Sequence, residues 1–210
     1  PDRAIHYLTV KGEVYMTFQN ISVLGAGTMG HALAVVHALG GCAVRLTDTH
    51  APTLSAAQRR IGLALDTLAE AGTFSMAEIS AAQARIQPVY SLPEALEGSD
   101  LIVEAVVENA NVKTALFAEI DRLAPLDAVL ASNTSFLDVF PLIPDRRRSH
   151  ALIAHWYTPP YIVDLVDLVP SPECDPEVLR RVQELYASYG KAVLLFDRFL
   201  PGYIANRLQA

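Results

Sequence analysis

Short apolar runs alternate along this chain with segments whose apolar residues recur at helical spacing. Residues 21–24 (Ile-Ser-Val-Leu) predict a strand that breaks at Gly25 and passes into a helical pattern over 30–40, and residues 42–47 predict a second strand. From 53 to 71, Leu54, Ile61, Leu65 and Leu68 lie on one helix face, with Ala71-Gly72 as the stop. Ser75 and Glu78 have capping-box spacing, predicting a second helix to about residue 84. The pair reads as a helical hairpin inserted after the second strand. Residues 86–90 predict a short strand and 92–96 a helical turn. The run 100–106 is apolar almost throughout, as in a parallel strand covered on both faces. A helix over 109–123 and strands over 128–132 and 151–156 follow. Residues 161–170 predict another strand, interrupted by Asp164 and Asp167, whose alternation puts those two acids on opposite faces. A helix over 175–189 stops at Gly190, a last strand covers 192–196, and 201–210 begin a further helix.

Strands alternating with helices predict an α/β fold, Rossmann-like and doubly wound around a mostly parallel sheet, with the hairpin as its insertion. Ligands of such sheets sit beyond the carboxyl ends of the strands. The first strand ends there in Gly25-Ala26-Gly27-Thr28-Met29-Gly30, and Asp48 stands 18 residues further on, at the end of the second. A strand that turns through glycines into a helix N-terminus offers backbone N–H groups and a positive dipole end to a phosphate. Gly25 allows the tight turn, Gly27 the approach of a pyrophosphate, Gly30 close helix packing, and Asp48 accepts from a ribose diol. This predicts NAD; no arginine follows Asp48 to hold the extra phosphate of NADP, although Arg45 precedes it.

Composition bounds the rest. With 210 residues, 51% hydrophobic and 19% charged, the chain can bury a sizeable core. A net charge of −7, from 16 basic and 23 acidic side chains, disfavours a nucleic-acid or anionic-membrane surface. Two cysteines form no disulfide framework, no Cys/His cluster has zinc spacing, and neither a transmembrane-length run nor a signal segment is seen, so a cytoplasmic protein without metal is expected. Residues 16–200 read as the dinucleotide-binding domain. Residues 1–15 read as an upstream extension or expression remnant whose alternation near His6 would also suit an edge strand, and 201–210 as the start of a helical C-terminal domain.

In order, the glycine loop, Asp48, the run 103–109 (Val-Glu-Ala-Val-Val-Glu-Asn), 131–135 (Ala-Ser-Asn-Thr-Ser), His155 to Pro160 and 201–207 (Pro-Gly-Tyr-Ile-Ala-Asn-Arg) resemble the landmarks of the 3-hydroxyacyl-CoA dehydrogenase family. Pro159-Pro160-Tyr161 and the stretch 165–173 resemble the branch that holds lambda-crystallin and gulonate 3-dehydrogenase, whose substrates are free hydroxy acids. A lone strand-end histidine is more often packed than catalytic, but this motif context makes His155 the expected general base; the other five histidines are expected on the surface or in packing. The resemblance implies that Asp167, where the family usually has glutamate, orients His155. It implies that Ser135 and Asn206 hydrogen-bond the substrate oxygen, and that Glu108, Lys113 and Asn133 lie near the nicotinamide ribose and pyrophosphate. Thr158 replaces the family's usual asparagine. The implied activity is NAD-dependent interconversion of L-3-hydroxyacyl-CoA and 3-ketoacyl-CoA, in a homodimer when the helical domain is present. The alternatives are a dehydrogenase of a free 3-hydroxy acid, since the hairpin carries Arg59 and Arg60 but no lysine, and a dinucleotide-binding fragment without turnover.

Overall fold

A computed structural model describes residues 18–203. The expectations for residues 1–15, for a helix beyond 203 and for Asn206 lie outside these residues. β1 (Asn20–Leu24) turns into α1 (Gly30–Leu39), followed by β2 (Ala43–Thr47). The hairpin is α2 (Ala51–Glu70) and α3 (Met76–Arg85), and it leads into β3 (Ile86–Pro88) and α4 (Leu92–Leu96). Next come β4 (Leu101–Glu104), α5 (Ala110–Leu123), β5 (Val129–Ser132), β6 (Ala151–Trp156), β7 (Leu165–Pro170), α6 (Pro176–Ser188) and β8 (Ala192–Leu195).

The strands form one sheet in the order β3-β2-β1-β4-β5-β6-β7-β8. Every neighbouring pair is parallel except β6 and β7, so β7 and β8 run against the rest. Apolar cores lie on both faces, one under α1, the hairpin and α6, the other under α4 and α5. This is the expected doubly wound architecture, and β4, apolar up to Glu104, is buried throughout. Ser75 and Glu78 close the capping box in both directions. In the β5–β6 connection, the buried Arg147 donates to the carbonyls of Ile120, Ala124 and Pro125 around the end of α5. Those bonds satisfy a guanidinium that would otherwise be costly to bury.

One expected element is shorter than its apolarity suggests. Residues 161–164 lie outside β7: the N–H groups of Ile162 and Val163 both donate to the Pro159 carbonyl, and Lys191 Nζ donates to the carbonyls of Pro160 and Val163. Asp164 is exposed and pairs with Lys191 at 3.1 Å. Asp167 alone of the two acids belongs to the strand.

Candidate active site

The glycine loop sits at the carboxyl edge of the sheet. Gly25 has φ +96°, and a Cβ there would stand 2.6 Å from the Ala105 carbonyl oxygen. A Cβ on Gly30 would stand 1.7 Å from the Gly25 carbonyl oxygen and 3.6 Å from the Val23 side chain of β1, so this glycine lets the turn close on itself where the helix meets the strand. Around Gly27 no atom lies within 4 Å of the Cβ position, and no side chain caps α1 at Met29. Open space over an uncapped helix N-terminus fits a pyrophosphate. Thr28 is exposed at the loop tip, and Met29 Sδ accepts from the Thr158 hydroxyl at 2.9 Å, joining the loop to the end of β6.

Asp48 Oδ2 accepts from Ala26 N–H at 2.8 Å and its Oδ1 from His50 N–H at 2.9 Å. Each oxygen keeps a further lone pair, as a ribose diol needs. Beside it opens a cleft of about 750 Å³ whose wall includes Gly25, Gly27, Asp48, Tyr90, Val107 and Leu116. Arg45 is engaged elsewhere, donating to the Glu97 carbonyl at the end of α4. The residues present therefore fit NAD. Among the described residues no cluster of His, Cys, Asp or Glu could hold a metal ion.

Between the loop and β6 lies a buried ionic network. Glu104, at the last residue of β4, takes both of its carboxylate oxygens to 2.7 Å from Lys113 Nζ. It also accepts from Ser132 Oγ at 2.5 Å and from Val106 N–H at 2.8 Å. Lys113 Nζ lies 3.3 Å from Glu108 Oε2 as well. The other oxygen of Glu108 accepts from the Thr134 hydroxyl at 2.6 Å and from the N–H groups of Ser135 and Phe136 at 2.9 Å. Burial alone would raise the Glu108 pKa, but these bonds and the Lys113 charge outweigh it and hold the carboxyl below its ordinary value. On helix pattern Glu108 and Lys113 would be an exposed pair. Instead Lys113 is buried and its ammonium is engaged with the two glutamates.

His155 and Asp167 are direct partners in the antiparallel β6–β7 register, which puts both side chains on the same face. His155 Nδ1 lies 3.2 Å from Asp167 Oδ2, and both residues are buried. The same oxygen accepts from the Tyr157 hydroxyl at 2.5 Å. The Tyr203 ring stacks on His155, with centroids 4.5 Å apart and planes at 28°, and its hydroxyl donates to the Thr134 carbonyl. Burial, followed by the negative charges of Asp167 and Glu108, pushes the Tyr203 phenol well above its ordinary pKa. Asn133 Oδ1 accepts from Trp156 N–H at 2.9 Å, and the Asn133 N–H donates to the Glu104 carbonyl. Ser135 is half-buried between Glu108, bound through its N–H, and Gly202, whose N–H donates to its carbonyl.

Ser135, His155 and Asp167 thus share one end of the sheet with Gly25 and Asp48. Sequence reasoning gave Tyr157 and Tyr203 no part in this edge, placed Thr134 there only within the run 133–135, and gave Glu104 no role beyond its strand end. Glu104 carried a signal: a carboxylate that closes an apolar strand requires a buried partner. The tyrosines carried none: Tyr203 joins segments far apart in sequence, and Tyr157 meets Asp167 only because β6 and β7 pair antiparallel. His37 is a packing residue, enclosed by Trp156, Tyr186 and Tyr189.

Comparison with known proteins agrees with this geometry. Residues 20–198 match the family described as 3-hydroxyacyl-CoA dehydrogenase, NAD binding domain. A probable 3-hydroxybutyryl-CoA dehydrogenase of Bacillus subtilis is 31% identical over 92% of the chain and 67% of its own length. The lambda-crystallin of Oryctolagus cuniculus is 30% identical over 90% of the chain and 60% of its own length. The crystal structure of 3-hydroxybutyryl-CoA dehydrogenase from Escherichia coli K12 superimposes with a TM-score of 0.84 at 30% identity, covering 91% of this chain and 40% of that one. The chain thus spans from two fifths to two thirds of the length of these relatives. No described helix is long and apolar enough to cross a membrane. With its glycine loop, Asp48 and the matched span from β1 to beyond β8, the chain belongs to the 3-hydroxyacyl-CoA dehydrogenase family, of which it carries the NAD binding domain.

Proposed function

We propose that this chain carries the cofactor cradle and the base of an NAD-dependent enzyme interconverting L-3-hydroxyacyl-CoA and 3-ketoacyl-CoA. The observation that carries the reading is the buried His155–Asp167 pair at the sheet edge that also holds the glycine loop. A carboxylate only accepts, so Asp167 fixes the proton on Nδ1 and leaves Nε2 as the base. His155 Nε2 takes the proton of the substrate hydroxyl, and Asp167 stabilises the imidazolium that forms. Bound NAD supplies the acceptor for the hydride that leaves the same carbon. Ser135 donates to the substrate oxygen from a loop braced by Glu108, and Asn206 supplies a second donor, a role that rests on the resemblance. Gly25, Gly27, Thr28, Met29 and Gly30 receive the pyrophosphate, and Asp48 the adenosine ribose. Asn133, Glu108 and Lys113 act near the nicotinamide ribose, with Lys113 working through Glu108. By the same resemblance the acting form is cytoplasmic and, when the helical domain is present, a homodimer, which fractionation and sedimentation would test.

The experiment is NADH titration by fluorescence alongside reduction of acetoacetyl-CoA and of a free 3-oxo acid, for the parent chain and His155→Gln. The expected result is NADH affinity unchanged within about twofold and turnover lowered by roughly 10²- to 10⁴-fold in the variant. Turnover that survives His155→Gln refutes the assignment of the base. Binding by the parent chain without turnover of either substrate favours a dinucleotide-binding fragment.

A further inference from the structure

We propose that Tyr157 is a positioning residue that sets how strongly Asp167 holds the His155 proton, a role that rests on His155 serving as the base. One oxygen of Asp167 is crowded while the other is not. Asp167 Oδ2 accepts from the Tyr157 hydroxyl at 2.5 Å and stands 3.2 Å from His155 Nδ1, while Oδ1, equally buried, has no hydrogen-bond partner among the described residues. A hydroxyl bonded to a carboxylate at 2.5 Å is in the range of strong charge-assisted bonds, whereas 3.2 Å is the long limit for N–H···O. The phenol is therefore the dominant partner of that oxygen, and the imidazole takes what remains of its accepting capacity.

Geometry reinforces the competition. The Tyr157 ring meets His155 edge to face, with centroids 4.7 Å apart and planes at 80°, so one side chain both borders the imidazole and ties down its orienting carboxylate. The groups facing the pair come from each neighbouring segment: Asp167 from β7, Tyr157 from the end of β6, and Tyr203 across the imidazole face. Glu108 and Asp138 act on Tyr203 from further away. The Tyr203 hydroxyl is committed to the Thr134 carbonyl, which leaves Tyr157 as the phenol bonded to the carboxylate. Hydrogen bonds to a carboxylate delocalise its charge and weaken its attraction for an imidazolium. Tyr157 thereby weakens the hold of Asp167 on the imidazole proton.

The test is an NMR titration of the His155 imidazole in the 210-residue chain, with the resonance assigned by its loss in His155→Gln. In Tyr157→Phe the midpoint should rise by about half a unit to one unit, because the carboxylate then serves the imidazole alone. Site-specific 3-fluorotyrosine at 157 keeps the shape and strengthens the donor, so it should move the midpoint the other way. Packing alone predicts no such reversal of sign, and the fluorinated residue answers the question even where Tyr157→Phe fails to fold. A titration unmoved by either replacement, or moved in the same direction by both, overturns the proposal. The pH profile of kcat/KM should follow the NMR midpoint. A chain that binds NADH without turnover would sink the dehydrogenase reading while leaving the titration to decide the role of Tyr157.

Discussion

Replacing Lys113 by methionine should destabilise the chain far more than a change at an ordinary lysine. Lys113 and Glu104 are 1% and 0% exposed, and Nζ sits 2.7 Å from each Glu104 oxygen. Methionine matches the length of the aliphatic stem but leaves Glu104 as a buried charge with two neutral donors, Ser132 Oγ and the Val106 N–H. Removing one partner of a buried ion pair costs about 3–5 kcal/mol. The two surviving donors place this case near the lower end, about 3 kcal/mol, which is a large share of the 5–15 kcal/mol typical of a folded domain. With a urea slope of roughly 2–3 kcal/mol per molar for a chain of this size, the midpoint should fall by about 1–1.5 M. Urea unfolding followed by Trp156 fluorescence measures it. Glu104→Gln combined with Lys113→Met removes the orphaned charge and should recover most of the loss, a coupling that the double-mutant cycle isolates. A loss below about 1 kcal/mol in the single variant, or a double variant no more stable than the single, would refute the view that the pair is electrostatically indispensable.

Two glycine substitutions should separate folding from binding. Gly27→Ala meets no protein atom within 4 Å, so the unfolding free energy from urea titration should hold within about 0.5 kcal/mol while NADH binding weakens by roughly tenfold or more; intact affinity would remove the pyrophosphate from that space. Gly30→Ala sets a methyl 1.7 Å from the Gly25 carbonyl oxygen and should cost at least about 2 kcal/mol as well as the affinity. His37 carries a pH prediction. Burial lowers its pKa from 6.5 to about 3, so it is neutral in the fold and protonated more readily in the unfolded chain. Its contribution to stability is complete above pH 6.5 and is lost as pH falls from there toward about 3. His37→Phe should flatten the urea midpoint over that window, and an unchanged acid slope would show that His37 is not the group responsible.

Much of the fold was legible because its determinants are local. The capping box of Ser75 and Glu78, the helical spacing of Leu54, Ile61, Leu65 and Leu68, and the closing of Gly30 on Gly25 act through residues a few positions apart. Failure came where apolarity and geometry diverge. Tyr161, Ile162 and Val163 look like the beginning of a strand, yet the N–H groups of Ile162 and Val163 go to the Pro159 carbonyl, and the carbonyls of Pro160 and Val163 go to Lys191, a residue about thirty positions downstream. Pattern reasoning cannot see a lysine ammonium that competes for carbonyls across that distance.

The site divides along the same line. The cofactor side is one continuous supersecondary unit, a strand, a glycine turn, a helix and an acid, and each part has a conformational requirement readable from residue type. The chemical side is assembled by register. His155 and Asp167 meet because β6 and β7 pair antiparallel, a reversal within an otherwise mostly parallel sheet that no local pattern announces. Ser135 is held because Glu108, seven residues after the start of β4, reaches across to the N–H groups that follow β5, and Glu108 is itself anchored by a lysine whose charge is already shared with Glu104. Glu104 is therefore linked to the N–H groups of Ser135 and Phe136 through Lys113 and Glu108. Lys113→Met tests that coupling directly: if the network rather than Glu108 alone fixes the loop, amide exchange at Ser135 and Phe136 should quicken in the variant before global unfolding does. Exchange that quickens only with the global transition would mean that the four donors on Glu108, Thr134 Oγ1 and the N–H groups of Ser135, Phe136 and Leu137, hold the loop without help from the buried pair.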